Sequence, residues 1–443
     1  MIINVTKDGP TVDDIRAAHF RDASMIATMP SITVTADPGC ERERDAMEAS
    51  LAEMMLEIGN SSGDNIVGLR HALINPHACE PKQDTLTGIA AGREVICLAS
   101  GPSAHDLMPW IVERQAMGAI VVCADSIFRG AVGAGIAPDF VCVLERDERM
   151  AAMVPPDLCV QSTLVCPPVV HPSVAAGWNG RRVWVWQTSS LLYDGIGPGI
   201  PKIGTGRSAG TLAAQISVLM KPARIILVGH DLCEIGQASH AGAAESLSST
   251  AHQADLANPG NTYHRRAVVA CVDGQTRPST MFWRGCLADL AAILRHSHAE
   301  CWNASPHGAL IPHTSHGIPP GRHMCGALPL GVITPSRYGA WMHAGVEEEC
   351  SRQLIRLSNT PETGMDYTSL LPAVEQLLPV YQPVMPLIMH VCALDCMAAV
   401  LRAHLDAASG TGQEQTHRRM YSLLRRRLIE TMRATIGAMR ESP

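Results

Sequence analysis

The sequence lacks the features that mark membrane and secreted proteins. Its 443 residues contain no clean run of about 18 apolar residues, the length that spans a bilayer. The nearest candidate, Val384–Leu401, is interrupted by Pro386, His390 and Asp395. The amino-terminal segment, MIINVTKDGPTVDD, is neither a signal peptide nor a transit peptide. We therefore expect a cytoplasmic protein without a membrane span.

A basic balance and a disulfide framework are lacking as well. The chain has 35 Lys and Arg against 42 Asp and Glu, a net charge of −7, which argues against a nucleic-acid partner. The 15 cysteines include no CxxC pair. Cys97, Cys123 and Cys142 lie inside apolar runs, where a free thiol behaves as a small hydrophobe. We expect reduced, structural thiols.

Common nucleotide and metal motifs are also absent. Without GxGxxG an NAD site is disfavoured, and without GxxxxGK[ST] a P-loop is disfavoured. No DxD motif follows a plausible strand. A late histidine cluster has spacing that matches no zinc pattern, so we expect neither a bound metal nor a resident cofactor. Its members are His307, His313, His316 and His323.

Short apolar runs alternate with amphipathic segments in the middle of the chain. The runs predict buried strands at 94–99, 119–124, 140–145, 162–166, 182–186 and 223–229, and another at 267–272. Helices are predicted at 105–117, 208–220 and 280–296. This alternation is typical of an α/β fold, a Rossmann-like, mostly parallel sheet with helices on both faces.

Three regions are predicted along the chain. Residues 1–88 form a small amino-terminal α/β or helical region, and 89–335 hold the Rossmann-like domain. Residues 336–443 follow a helical pattern and are predicted to form an α-helical carboxyl-terminal domain.

Polar residues follow four of the predicted strands. They are Ser100-Gly101-Pro102-Ser103, Asp125-Ser126, Glu145-Arg146-Asp147 and His230-Asp231. Ligands of open parallel sheets bind outside the carboxyl ends of the strands, so these groups predict one small-molecule site. Gly101 would let the backbone approach an anion. Gly101→Val should then abolish ligand binding and leave the fold intact.

Two further features belong to the same prediction. Gly204, Thr205 and Ser208 lie in a second small-residue loop that opens a helix and would suit a phosphate, a sugar hydroxyl or a carboxylate. Alternatively, Ser208 is simply the helix N-cap. His230 and His240 flank Asp231, and a histidine is able to accept the proton of a hydroxyl nucleophile near neutral pH. We expect His240, or alternatively His230, to be this base, and His240→Ala to lose about 10²–10⁴-fold in activity.

The order of these motifs resembles a known family. Strand–GPS–helix–strand–ADS is followed by AGIAPDFVCVLERD, GTGRSAGTLAAQISVLMKPARIILVGHDL and SHAGA. Over residues 60–335 this is similar to the motility-associated factor (Maf) glycosyltransferases, whose central domain is similar to the archaeal hydroxymethylpterin pyrophosphokinases. The segment CWNASPHGALIPHTSH resembles the asparagine-bearing stretch that closes this domain.

The resemblance implies transfer of a nonulosonic acid, pseudaminic or legionaminic in type, from a CMP-activated donor to Ser or Thr of flagellin. It implies that Gly101, Pro102 and Ser103 hold the CMP phosphate and ribose, and that Asp125 and Ser126 line the cytidine or ribose side. By the same resemblance, Glu145 and Asp147 match the family's acidic positions, Thr205 and Ser208 would lie near the donor, and Asp231 and His240 would lie by the reacting centre.

Two other readings of the same residues stay open. One is a pterin pyrophosphokinase-like enzyme, since the fold elements are shared. The other is a non-catalytic nucleotide-binding accessory protein of the flagellum. The long 246–335 region and the helices beyond it favour a protein acceptor over a pterin.

Overall fold

The fold is described by a computed structural model of the chain. The described residues are 2–6, 33–41, 43–44, 67–68, 71–72, 75, 86–155, 158, 162–178, 180–187, 202–204, 206–236, 238, 240–241, 266–321 and 433. The chain divides into two compact units. One contains Met1–Ile74, Leu191–Pro198 and Gly339–Pro443, and the other contains Asn75–Ser190 and Gly199–Tyr338.

In the first unit, strand β1 (Ile2–Val5) pairs in parallel with β2 (Thr33–Ala36). The predicted helical domain at 336–443 lies outside the described residues, apart from Arg433. The three-region division of the chain stays a prediction.

The second unit is built on a parallel sheet with eight strands among the described residues. In spatial order they are β14 (Ser315–His316), β13 (Glu300–Asn303), β10 (Arg224–Val228), β3 (Glu94–Leu98), β4 (Ile120–Ala124), β5 (Phe140–Cys142), β6 (Thr163–Cys166) and β7 (Arg181–Trp184). The short strands β8 (Trp186–Gln187) and β9 (Lys202–Ile203) pair in parallel apart from this sheet.

Helices connect the strands. They are α1 (Ser103–Ala116), α2 (Asp125–Gly133), α3 (Met150–Met153), α4 (Pro172–Gly177), α5 (Ala209–Leu219) and α6 (Met281–Arg295). Every residue of β3, β4 and β10 is buried, because continuous apolar strands need cover on both faces. Helix α5 packs against β3, β4 and β5, and α6 packs against α5. The predicted α/β fold with a mostly parallel sheet is confirmed.

The strands that follow β10 in the chain depart from the sequence prediction. The run at 267–272 does form a strand, β11 (Arg266–Ala270), but it pairs antiparallel with β12 (Thr276–Thr280) in a separate hairpin. β12 was missed because Pro278 cannot donate to a ladder and argues against a strand. β13 and β14 were missed because they are short and lie near a loop-like stretch rich in His, Pro and Gly.

The described cysteines behave as core residues. Cys97, Cys123 and Cys142 are fully buried in neighbouring strands, and each described cysteine is a buried free thiol. Burial raises the pKa of Cys97 to about 12. These side chains are therefore protonated and pack as the sequence predicted. Within the described residues, no helix is both long and apolar enough to cross a bilayer.

Candidate active site

The carboxyl ends of β10, β3, β4 and β5 bring the predicted polar groups to one edge of the sheet. These strands are neighbours in that order, and all run parallel. The chain order reverses between β10 and β3, which makes this the topological switch point where open α/β sheets bind ligands. The crevice lies between the carboxyl ends of β10 and β3, and residues 100–103 and 230–231 lie at it. Residues 125–126 and 145–147 follow the next two strands, β4 and β5.

Asp231 joins three segments at the crevice. Its Oδ2 accepts a hydrogen bond from the Ser103 backbone N–H at 2.8 Å, and its Oδ1 accepts one from the Ser305 hydroxyl. Its backbone carbonyl accepts the N–H of Ala309 at 2.7 Å. Only 1% of Asp231 is exposed. Both carboxylate oxygens are thus occupied by the protein, and the carboxylate lies at the positive amino end of α1.

Gly101 and Gly229 let the two loops approach each other. The Gly101 N–H donates to the Gly229 carbonyl at 2.8 Å. A Cβ added to Gly101 would lie 2.5 Å from that carbonyl oxygen and would also collide with the Asp231 carboxylate. Gly229 has φ +70°, which favours glycine. The expectation that Gly101→Val leaves the fold intact is therefore wrong, because the space beside Gly101 is filled by protein atoms.

The Ser103 hydroxyl is buried and has no hydrogen-bond partner among the described residues, although the Ser103 backbone is fixed by Asp231. A buried polar atom without a partner is uncommon in proteins and costs free energy. It is the kind of group that a ligand oxygen would satisfy at this edge of the sheet. In the first loop of the site, residues 100–103, Ser100 and Pro102 are only partly buried.

The two histidines predicted to flank Asp231 have different surroundings. His230 is buried, with Nε2 3.3 Å from the carbonyl of Gly210 and 3.7 Å from Sγ of Cys97. Burial lowers its pKa, so the ring is neutral and packs under the first turn of α5. His240 is half-buried, edge-on to Trp283 at 6.4 Å between ring centroids. The next residue, Ala241, donates its N–H to the Ser100 carbonyl at 2.8 Å, which brings His240 close to the first loop.

The acidic residues after β4 and β5 separate into two environments. Asp125 is buried, and burial, assisted by the nearby Glu145 carboxylate, raises its pKa to about 7. Its Oδ1 accepts the N–H of Ser126 at 2.7 Å. Asp147 pairs instead with the exposed Arg149 at 2.5 Å, and that hydrogen bond lowers its pKa. Glu145 thus lies near Asp125, whereas Asp147 forms an ion pair with Arg149, two residues further along the chain.

The second small-residue loop caps α5. The Ser208 hydroxyl accepts the N–H of Thr211 at 3.2 Å in a capping box. The backbone N–H of Arg207 donates to Asp289 of α6 at 3.1 Å. Thr205 lies outside the described residues, and Gly204 precedes the cap. Since Gly210 in the first turn lies against Ala99 and His230, the amino end of α5 is next to the crevice.

A segment after β13 completes the crevice and was not among the predicted site residues. The Asn303 side chain accepts the N–H of Ser305 and donates to the Ala309 carbonyl, both at 3.1 Å. Gly308 donates its N–H to the Ser305 hydroxyl at 2.9 Å. A Cβ added at Gly308 would lie 2.9 Å from Cα of Asp231. The segment NASPHG belongs to the stretch that carries the family resemblance, but no local sequence pattern predicts its contact with Asp231.

Among the described residues, no group of three or more His, Cys, Asp or Glu side chains could hold a metal ion. His313 and His316 are exposed, and His323 lies outside the described part of the chain. The histidine cluster noted in the sequence is therefore not gathered into a site over its described members.

Comparisons with known proteins agree with this architecture. Residues 72–237 match the family model described as 6-hydroxymethylpterin diphosphokinase MptE-like. The chain is structurally similar to a protein described as MAf glycosyltransferase from Magnetospirillum magneticum AMB-1, with 14% sequence identity and a TM-score of 0.56. That likeness covers 96% of this chain and 68% of the other. Comparison with curated proteins finds no match. The chain thus carries an MptE-like domain and shares the fold of a Maf glycosyltransferase, which confirms the resemblance predicted from its motifs.

Proposed function

We propose that this protein is a glycosyltransferase that moves a nonulosonic acid from a CMP-activated donor to Ser or Thr of flagellin. The single observation that carries the proposal is the joining of the 100–103, 229–231 and 303–309 segments through Asp231 at the switch point. The structural relative is described as a glycosyltransferase, which supports the reaction class.

The chemistry of the proposed donor sets two requirements. Its anomeric carbon bears a carboxylate and no hydrogen, and CMP is a good leaving group. The bond from this carbon to the phosphate oxygen breaks with its electron pair going to CMP, the acceptor hydroxyl oxygen bonds to the carbon, and the hydroxyl proton goes to a base. The protein must therefore stabilise the departing phosphate and accept a proton.

The residues after the strands have distinct roles in this proposal. The buried hydroxyl of Ser103, at the amino end of α1, would donate a hydrogen bond to a phosphate oxygen. Asp231 is a positioning residue, because both its oxygens already hold the loops. Asp125, with Glu145, would accept hydrogen bonds from the ribose or cytidine. His240 would contact the donor from beside Ser100, and His230 would support α5.

Calorimetry of the full chain against CMP, UDP and ATP tests the proposal. We expect CMP to bind more tightly than UDP and ATP, and release of CMP from a CMP-activated nonulosonic acid to be catalysed. Failure of CMP to bind would overturn the proposal. Binding of CMP and of flagellin without any turnover would instead support a non-catalytic accessory protein.

A pterin pyrophosphokinase is the second candidate, and the match of residues 72–237 to the MptE-like model is the observation that favours it. In that reaction the hydroxyl of hydroxymethylpterin attacks the β-phosphate of ATP, and AMP leaves. AMP release that requires both ATP and the pterin would support this candidate against the transferase.

A further inference from the structure

One histidine near the crevice is oriented by a carboxylate. His307 lies between Ser305 and Gly308, the residues that contact Asp231, and its Nδ1 is 3.0 Å from Oδ2 of Asp273. An ionised carboxylate only accepts hydrogen bonds, so Nδ1 must carry the proton. In the neutral ring Nε2 is then the acceptor, the tautomer that a general base needs. The His307 side chain is 53% exposed, so a protein hydroxyl has room to approach the ring.

The carboxylate that orients His307 is itself fixed. Arg277 donates from Nη1 to Oδ1 of Asp273 at 2.7 Å and from Nη2 to Oδ2 at 2.5 Å. These hydrogen bonds, with a further contribution from His307, lower the pKa of Asp273 far below its ordinary value. Asp273 is therefore ionised throughout the range in which a histidine titrates. A base that is hydrogen-bonded to a group that orients it is typical of sites that activate a hydroxyl nucleophile.

The hairpin that carries Asp273 is tied to the crevice. Val272 donates its N–H to the Gly308 carbonyl at 3.0 Å, and Leu310 donates to the Ala270 carbonyl at 2.8 Å. The loop that carries His307 and contacts Asp231 is thus held beside the hairpin turn. By contrast, His230 is enclosed under α5 and His240 packs edge-on to Trp283.

We propose that His307, oriented by Asp273, is the general base that takes the proton from the acceptor hydroxyl, and that Arg277 is a positioning residue. This inference rests on the proposed function for its substrate, because the hydroxyl belongs to the Ser or Thr acceptor. The proton moves from the acceptor oxygen to Nε2 of His307 as that oxygen bonds to the anomeric carbon and CMP leaves.

The ionisable groups around this loop are few in the described structure. Asp273, Arg277 and Cys271 lie on the hairpin, and Asp231 and Cys233 follow β10. Burial raises the pKa of Cys233, and Asp273 raises that of Arg277, so neither titrates near neutrality. Asp125 does titrate there, at about 7, so pH profiles are compared between variants.

The test measures CMP release from a CMP-activated nonulosonic acid, with flagellin or water as acceptor, in His307→Gln, Asp273→Asn and the control His316→Gln. His316 is exposed on β14 and lies outside the dyad formed by His307 and Asp273. We expect His307→Gln to lose about 10²–10⁴-fold in turnover with unchanged CMP affinity, and to alter the dependence of turnover on pH. Asp273→Asn should lose a comparable amount, because an amide can donate to Nδ1 and reverse the tautomer. Wild-type turnover and pH profile in His307→Gln would overturn the inference.

A second measurement separates this inference from the proposed function. Nitrogen NMR of the full chain labelled in histidine reports which ring nitrogen of His307 is protonated. We expect the Nδ1–H tautomer in the wild type and its loss in Asp273→Asn. An Nε2–H tautomer in the wild type would overturn the dyad even if CMP binds. A protein that fails to bind CMP but shows the Nδ1–H tautomer would refute the proposed donor and leave the dyad standing.

Discussion

Gly101 makes room for protein atoms. The missing Cβ is replaced by the Gly229 carbonyl and the Asp231 carboxylate, which is how the loops after β3 and β10 come into contact. Neither partner can move without breaking the crevice, because one is backbone and the other is held by two hydrogen bonds. Gly101 therefore acts on ligand binding by allowing the loops after β3 and β10 to meet.

We predict that Gly101→Ala lowers the free energy of unfolding by about 1–3 kcal/mol, the usual cost of overpacking. Denaturant unfolding of the full chain measures it. Gly133→Ala in α2 is the matched control, since an added Cβ there meets nothing within 4 Å, and it should be neutral or slightly stabilising. Equal stability of Gly101→Ala and the wild type would show that the loops can separate at little cost.

Asp125 gives the protein a pH dependence with a definite sign. Its pKa is raised from 3.8 to about 7 in the folded protein, mainly by burial. Between these two values the folded state holds a proton that the unfolded state has lost. The stabilising contribution is therefore full below about pH 4 and is lost as the pH rises through about 7.

We predict that Asp125→Asn removes this dependence, so that the variant gains stability over the wild type as the pH rises from about 4.5 to 8, by about 3 kcal/mol. Denaturation midpoints across this range measure the difference. Glu145→Gln should reduce the effect only in part, because the Glu145 charge is the smaller cause of the shift. Parallel stability curves for Asp125→Asn and the wild type would contradict the assignment.

At the scale of elements, the amino ends of helices explain why small polar residues follow strands. Asp231 accepts a backbone N–H at the start of α1, Ser208 caps α5, and the Thr280 hydroxyl accepts the Trp283 N–H at the start of α6 at 3.1 Å. Each satisfies a donor that a helix leaves unpaired. A polar residue after a strand is thus explained by helix capping alone. The Ser103 hydroxyl is different, because it is buried and caps no helix.

Two substitutions of Ser208 separate a cap from a ligand contact. Ser208→Ala should lower the free energy of unfolding by about 1 kcal/mol, and Ser208→Asp should retain it, because Asp also caps helices. Since the Ser208 hydroxyl already accepts the Thr211 N–H, we expect the affinity for CMP to be unchanged in both variants. Weak CMP binding by a fully stable Ser208→Asp, seen in calorimetry, would instead identify Ser208 as a donor contact.

Element prediction was accurate where burial alone sets the pattern. The apolar runs in β3, β4 and β10 have cover on both faces, so composition reveals them. β12 was hidden by Pro278 and is held by pairing with β11. β13 is held in the sheet by β10, a neighbour more than 70 residues away in the chain.

At the scale of the whole described unit, a buried ion network closes the edge of the sheet opposite the crevice. Glu94, at the start of β3, accepts from Arg114 of α1 at 2.7 and 2.9 Å and from Arg224, at the start of β10, at 3.3 Å. Both arginines also donate to the Pro320 carbonyl. The network joins segments separated by more than 200 residues.

We predict that Glu94→Gln lowers the free energy of unfolding by about 3–5 kcal/mol, because the buried Arg114 guanidinium loses its carboxylate partner and the buried Arg224 guanidinium loses one of its two. Glu300→Gln is the control. Glu300 pairs with Arg224 but is 40% exposed, so its loss should cost under about 1 kcal/mol. Chemical denaturation measures both, and a cost for Glu94→Gln no larger than the control would show that water reaches the network.

By itself, the sequence determined the buried strands β3, β4 and β10, the mostly parallel sheet, the absence of common nucleotide motifs and the family resemblance, because apolar runs and motif order are local properties of the chain. Only the tertiary structure decided what each polar residue faces. Asp231 faces Ser103 and Ser305, His230 faces the core, and His307 faces Asp273. Such pairings depend on which strands become neighbours, and that is settled when distant segments pack together.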